Sequence, residues 1–285
     1  MIRDSARRRR WDRLLWALGL GATILVFLLP VVLLADLLVD GAAFLSLNFF
    51  TSFASRFPDL AGIRAPLMGT LWILALTAMI SLPVSVGAAV YLEEYASRSW
   101  WTRAIGANIA SLAGVPSVVY GILGLALFVR ALNLGESVLA GALTLSLLVM
   151  PMIIIGAQEA IRTIPPGIRE AAYGLGATRW QVVRHQVLPL ALPGILSGTL
   201  FALVRAVGET APILMIGVLA HIGFSPEGID EPFTVLPVQI FNWITRGEEF
   251  HGLAAGGIIV LLGILISMST LAVIIRRRYA TPVRD

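Results

Sequence analysis

Residues 160–189 read AIRTIPPGIREAAYGLGATRWQVVRHQVLP, a charged, proline-punctuated segment set between two long apolar runs, 137–159 and 190–220. Near its start is a helix stop, Ile164-Pro165-Pro166-Gly167, because proline lacks the N–H that an interior helical turn needs. Ile168 to Val187 contains no proline, and Ile168, Ala171, Ala172, Leu175, Val182 and Val183 recur at roughly helical spacing. Gly174 and Gly176 interrupt the middle, which predicts two short helices joined by a bend. At this length the segment is too long for a plain bundle connection and should be structured. An amphipathic helix-turn-helix of this kind either lies along the surface as a connector or fits a groove on another protein.

The runs on either side set the solvent. The chain has 285 residues, 58% hydrophobic and 13% charged, with a mean hydropathy of +0.87. Soluble domains carry about 45–50% apolar and about 25% charged residues. A hydrocarbon core needs about 20 apolar residues of helix, and six stretches meet that length: 14–38, 67–91, 106–130, 137–159, 190–220 and 253–275. The first follows Arg7 to Arg10 but is longer than a signal-peptide core and lacks a small-residue cleavage site, so it reads as a retained span. The expected fold is an all-α membrane protein of six transmembrane helices. Residues 1–66 form an N-terminal tail, first span and outer loop, 67–275 the main transmembrane domain with the 160–189 loop, and 276–285 a basic tail.

All 21 basic residues are arginine. A Walker A loop needs a lysine on the nucleotide phosphates, so this is not a standard P-loop ATPase, and lysine Schiff-base chemistry is excluded too. There is no cysteine, and His185, His221 and His251 are not at metal-ligand spacing. No nucleophile–base set points to a membrane-embedded enzyme. The net charge of +4 is not arranged as a nucleic-acid groove with interleaved aromatics. Sixteen arginines fall on the side of the two termini and of the loops after spans 2 and 4, against four on the other side. That asymmetry predicts cytoplasmic termini and a cytoplasmic 160–189 loop.

Outside, residues 39–66 carry Phe44, Phe49, Phe50, Phe53 and Phe57, suited to an interfacial helix. The acidic 221–252 loop contains an apolar piece, Val235 to Ile244, expected to dip back or pack on a partner. Trp72, Trp100, Trp101 and Trp243 read as interface anchors.

The remaining arginine, Arg205, lies inside span 5 with Glu209 four residues on, on the same helical face. Charges at mid-membrane cost about 2.5–3.5 kcal/mol each on insertion scales and usually face a pathway; the alternative is a self-neutralising structural pair. Gly208 and Pro212 loosen the helix beside them. A guanidinium presents paired donors to a tetrahedral oxyanion. A carboxylate beside it accepts a hydrogen bond from a protonated anion such as phosphate and repels sulfate.

Glu170-Ala171-Ala172, three residues, Gly176, nine residues, then Gln186-Val187-Leu188-Pro189 resembles the EAA signature of ABC-importer permeases, with Gln186 where the family usually has isoleucine. Three further segments are similar to the phosphate-specific ABC importer permeases of the PstA type: Tyr91-Leu92-Glu93-Glu94-Tyr95-Ala96, Gly114 to Gly121, and Arg205 to Pro212. The resemblance implies a type I ABC importer permease fold in a bacterial inner membrane. It implies ATPase coupling through Glu170, Ala171, Ala172, Gly176, Leu188 and Pro189. It also implies a substrate pathway at Arg205, Glu209, Thr210, Ser117 and Tyr120, with Glu93 and Glu94 at a gate, an interface or a solvated helix end. The implied partners are a second permease of the PstC type, two copies of a PstB-type ATPase and a PstS-type phosphate-binding protein. ATP and magnesium would sit on the ATPase and no cofactor on this chain. Two rivals stay open: a permease of this architecture for sulfate or molybdate, and a proton-coupled secondary transporter using Glu209.

Overall fold

The computed structural model describes the backbone of residues 2–97, 99–218 and 222–279, and side chains within 11–278. Arg98, His221, Arg284 and the side chains of Arg3 and Arg7 to Arg10 lie outside the described residues. Among the described residues the chain is helical, and its one β feature is an isolated bridge between Ser137 and Pro232. Five helices are long and apolar enough to cross a membrane, and a bent pair makes a sixth crossing if counted as one.

The first is α1 (Ile2–Ala42). Its apolar stretch is exposed on this chain, and it closes only at its C-terminal end against α12 (His251–Tyr279). There a Cβ on Gly41 would lie 2.7 Å from the Ala255 backbone, so glycine is what allows the approach. Short α2 (Leu47–Thr51) is capped by Ser46 and buries Phe49, so the phenylalanine-rich outer loop is anchored into the chain and forms only one turn of helix.

At the centre, α3 (Arg64–Val90) lies along α6 (Val138–Arg162). Lipid offers no hydrophobic drive between spans, so close packing and interhelical hydrogen bonds hold them. Thr77 donates to the Ala142 carbonyl at 3.4 Å, Ser85 to Met150 at 3.4 Å, and Ser146 to Thr77 at 3.5 Å. The third span differs from a single 106–130 helix. It is two helices, α4 (Trp100–Leu112) and α5 (Ser117–Gly124, continuing to Ala131), bent by 98°. Pro116 sits at the elbow with extended ψ, as the missing N–H and ring bulk of proline require.

Span 5 also differs from the sequence reading. The predicted connector is α7 (Pro166–Gly174) and α8 (Arg179–Val182), and α8 runs through a wider turn, Val183–Val187, into α9 (Leu188–Val207). One helix therefore extends over Arg179–Val207. The wide turn of i→i+5 character falls just before Pro189, whose ring would clash with an ordinary α-helical carbonyl. The helix ends at Gly208, and α10 (Ala211–Met215) starts after it with Pro212 in its first turn. Span 5 thus stops near residue 207 instead of continuing to 220.

The apolar 235–244 segment becomes α11 (Leu236–Arg246), packed within this chain on α12 and α3. Trp243 is fully buried there, tilted against Phe49 with ring centroids 6.1 Å apart, so it is a core residue and not an interface anchor. Trp100 and Trp101 are exposed and stacked on each other.

Candidate functional site

Two groups of predicted residues lie at opposite ends of the Arg179–Val207 helix. From Arg179 to Arg205 the helix rises about 39 Å at 1.5 Å per residue. The second half of the 160–189 loop and Arg205 therefore share one continuous helix, while Glu170 to Ala172 lie on the separate helix α7 and Glu209 lies past Val207.

Arg205 occupies the last turn of α9, where a cation is favoured by the carbonyl end of the helix. Its Nε donates to Glu209 Oε1 at 3.4 Å, a long bond, and Nη1 points at the Met152 sulfur at 3.4 Å. The Arg205 side chain is 48% exposed and that of Glu209 18%. Most guanidinium donors have no partner among the described residues. Glu209 lies outside the regular helix, on the Gly208–Thr210 break, which turns its carboxylate inward. It borders a cavity of about 10 Å³ with Thr70, Ile73, Leu145, Ile213 and Val235, space for one water. Thr210 leads α10 and accepts from Leu214 through its carbonyl.

α5 packs on α10 through Gly121, whose Cβ would lie 2.7 Å from Pro212 Cα. Ser117 begins α5 at the elbow and is half-buried. Tyr120 is buried in a cluster with Ala202, Ala206, Leu148 and Ile153, and its hydroxyl donates to the Leu112 carbonyl at 2.8 Å. Its hydroxyl therefore holds the α4–α5 elbow, and its ring backs the helix face next to Arg205.

At the other end, α7 and α8 enclose a cleft of about 420 Å³ lined by Ala172, Leu175, Gly176, Gln181, His185 and Gln186. Gly176 makes the bend with φ +83°, a left-handed conformation that disfavours a β-carbon. Thr178 and Gln181 form a reciprocal capping box that starts α8. Glu170, Ala171 and Tyr173 are exposed, and Leu175 at the tip is 91% exposed. The inner face (Ile168, Ala172, Ala177, Val182, Val183, Val187, Leu188) packs with Ala89, Val90, Ala157 and Ile161. Pro189 is exposed, and so is Gln186, whose position asks for no buried apolar contact within this chain.

Glu93 and Glu94 sit in the turn Tyr91–Tyr95 that ends span 2, another wide turn of i→i+5 character. Neither is a solvated helix end. Glu93 accepts from Arg162 (2.7 and 3.0 Å) and from Gln158 (2.8 Å), and Glu94 accepts from Arg169 (2.8 and 3.0 Å). The sequence reading assigned those arginines only to the topological charge bias. Alternation of acidic span end and arginine-bearing loop was the available signal, but their pairing needs residues some 70 positions apart to meet.

Residues 81–281 match the family described as binding-protein-dependent transport system inner membrane component. The chain is 33% identical over 257 residues to the probable ABC transporter permease protein YqgI of Bacillus subtilis, covering 86% of this chain and 87% of the relative. It is 31% identical over 273 residues to the phosphate transport system permease protein PstA of Mycobacterium leprae, covering 94% and 89%. Among solved structures, a bacterial alginate ABC transporter chain superposes with a TM-score of 0.65 at 20% identity, over 96% of this chain and 98% of that one. A chain of the MetNI methionine transporter superposes at 0.57 and 22% identity, over 75% and 95%. At those identities the structures speak for the fold alone. A matched stretch covering most of the chain, an all-helical multi-pass fold and relatives above 30% identity place it together: the chain belongs to the family of binding-protein-dependent transport system inner membrane components, the permease subunits of ABC importers.

Proposed function

We propose that this chain is the PstA-type permease subunit of an ATP-driven importer that carries inorganic phosphate into a bacterial cell across the inner membrane. The observation that carries this reading is that Arg205, with Glu209 on the break just past it, stands at one end of the continuous Arg179–Val207 helix whose other end is the second helix of the EAA-type loop. Displacement of that loop helix by an ATPase is passed along the same helix to Arg205. Similarity to permeases named for phosphate transport supports the substrate.

In this mechanism both termini and the 160–189 loop are cytoplasmic. The chain pairs with a PstC-type permease so that the Arg205 face lines a path between them. Two PstB-type ATPases, with ATP and magnesium, grip the two loops at Leu175, Tyr173, Glu170 and the Gly176 bend. A PstS-type protein delivers phosphate from outside. Free guanidinium donors of Arg205 bind phosphate oxygens, and Glu209 accepts a hydrogen bond from the phosphate's protonated oxygen, a donor that sulfate lacks. The chain itself makes and breaks no covalent bond.

The test is ³²P-phosphate uptake in cells lacking the chain, complemented with wild type, Arg205→Ala or Glu209→Gln at matched membrane abundance. Loss in both variants with the ATPase still co-purifying is the expected result. Full uptake by both would reduce the pair to a structural one, and transport of sulfate or molybdate in place of phosphate would establish the other-oxyanion reading.

A further inference from the structure

Three consecutive side chains of the Tyr91–Tyr95 turn are each engaged by a different arginine of the loop region. Arg162 at the end of α6 grips Glu93, and Arg169 of α7 grips Glu94. Arg179 at the start of α8 stacks over the Tyr95 ring, 5.4 Å from its centroid. The middle contact is the enclosed one, with side chains 6% exposed for Glu94 and 20% for Arg169. Nε and Nη2 of Arg169 both donate to Glu94 Oε1, while Nη1 donates to the Ile164 carbonyl at 2.8 Å and Nη2 to the Ile161 carbonyl at 3.0 Å. One guanidinium thus joins the end of span 2, the end of span 4 and the first loop helix. Its planar fork fits that many acceptors at fixed angles, which the point charge of a lysine does not.

The connection has a direction. The second loop helix is already continuous with span 5, so it moves span 5 by covalent continuity. Span 2 has no such link to the loop, since α4, α5 and α6 intervene in sequence. Yet α3 carries Thr70, Ile73 and Leu74 at its other end, on the cavity beside Glu209. If span 5 moved without span 2, the two walls of that cavity would slide past each other.

We propose that Arg169, acting through Glu94, is the positioning residue that makes span 2 move as one body with the coupling loop. This rests on the loop being the ATPase docking element. Wide turns of this kind recur at functional sites, and this one presents three successive side chains to three arginines on α6, α7 and α8.

The test uses the whole transporter assembled with its ATPase. The chain has no cysteine of its own, so spin labels at Tyr91→Cys and Gly167→Cys, both exposed positions and neither in the docking face, report the distance between span 2 and the loop. In the wild-type background that distance stays narrow and equal in the nucleotide-free and vanadate-trapped states. Arg169→Ala, and separately the isosteric Glu94→Gln, should hold ATPase in wild-type amounts yet broaden or shift the distance by several ångströms on trapping. Phosphate moved per ATP hydrolysed should fall about tenfold, within the range of ordinary coupling free energies. A narrow, unchanged distance in both variants overturns the proposal. So does transport that falls only in proportion to lost ATPase, which would make the pair a docking contact. A wild-type chain that holds no ATPase removes the docking reading itself. A complex that holds ATPase but moves no phosphate removes only the substrate, and the distance measurement still decides the role of Arg169.

Discussion

Glu209 and Gly121 show how much a single position carries. Glu209 borders an apolar-walled cavity on one side and Arg205 on the other, so Glu209→Gln removes the charge that repels a fully deprotonated anion while keeping the shape. Uptake of ³⁵S-sulfate is expected to rise above its wild-type level in that variant, a readout that does not depend on phosphate uptake. Gly121 matters through absence of a side chain: a methyl there would press on Pro212 Cα at 2.7 Å. Gly121→Ala should lower stability by about 1–3 kcal/mol, the usual cost of overpacking, read as a lower thermal midpoint of the purified protein in detergent. The charged pair was legible because Arg205 and Glu209 stand out in an apolar run four residues apart. The arginine partners of Glu93 and Glu94 were not, because the pairing depends on how α3 and α6 end side by side.

The 160–189 loop is the best-encoded element. Prolines, glycines and apolar spacing anticipate α7, the bend and the start of α8, since these are local effects of backbone freedom and amphipathicity, but not that α8 runs on into span 5. At the bend, Gly176→Val would place a β-branched residue at φ +83°, costing about 1–2 kcal/mol locally and misdirecting the tip. Leu175→Asp alters only an exposed side chain. Both variants are expected to lose ATPase co-purification, Leu175→Asp with an unchanged thermal midpoint. Span boundaries were less legible. The 98° elbow at Pro116 and the stop at Gly208 both fall inside stretches whose hydropathy reads as a single span. Hydropathy measures the solvent a residue tolerates, and it is blind to whether the backbone continues straight through it.

Across the whole molecule the arginine asymmetry predicts orientation, and the lack of cysteine makes it directly measurable. A membrane-impermeant maleimide should label Phe57→Cys in intact spheroplasts and Tyr173→Cys only in inside-out vesicles; the reverse pattern would invert the proposed topology. Exposure of α1 along its apolar length, with closure on α12 only near Gly41, fits a span added to the edge of the bundle. Composition, charge placement and local spacing by themselves determined a multi-pass helical membrane protein with a structured arginine-rich loop and a charged pair in a late span. These properties are additive along the chain: each residue contributes its own transfer energy, helix propensity or charge wherever its neighbours lie. Only the tertiary structure decided that the second half of the loop and Arg205 share one helix, that Trp243 is core, and that Arg169 joins Glu94 of span 2 to the carbonyls ending span 4. These depend on which helices end next to which, and that is set by the packing of small residues between spans far apart in sequence.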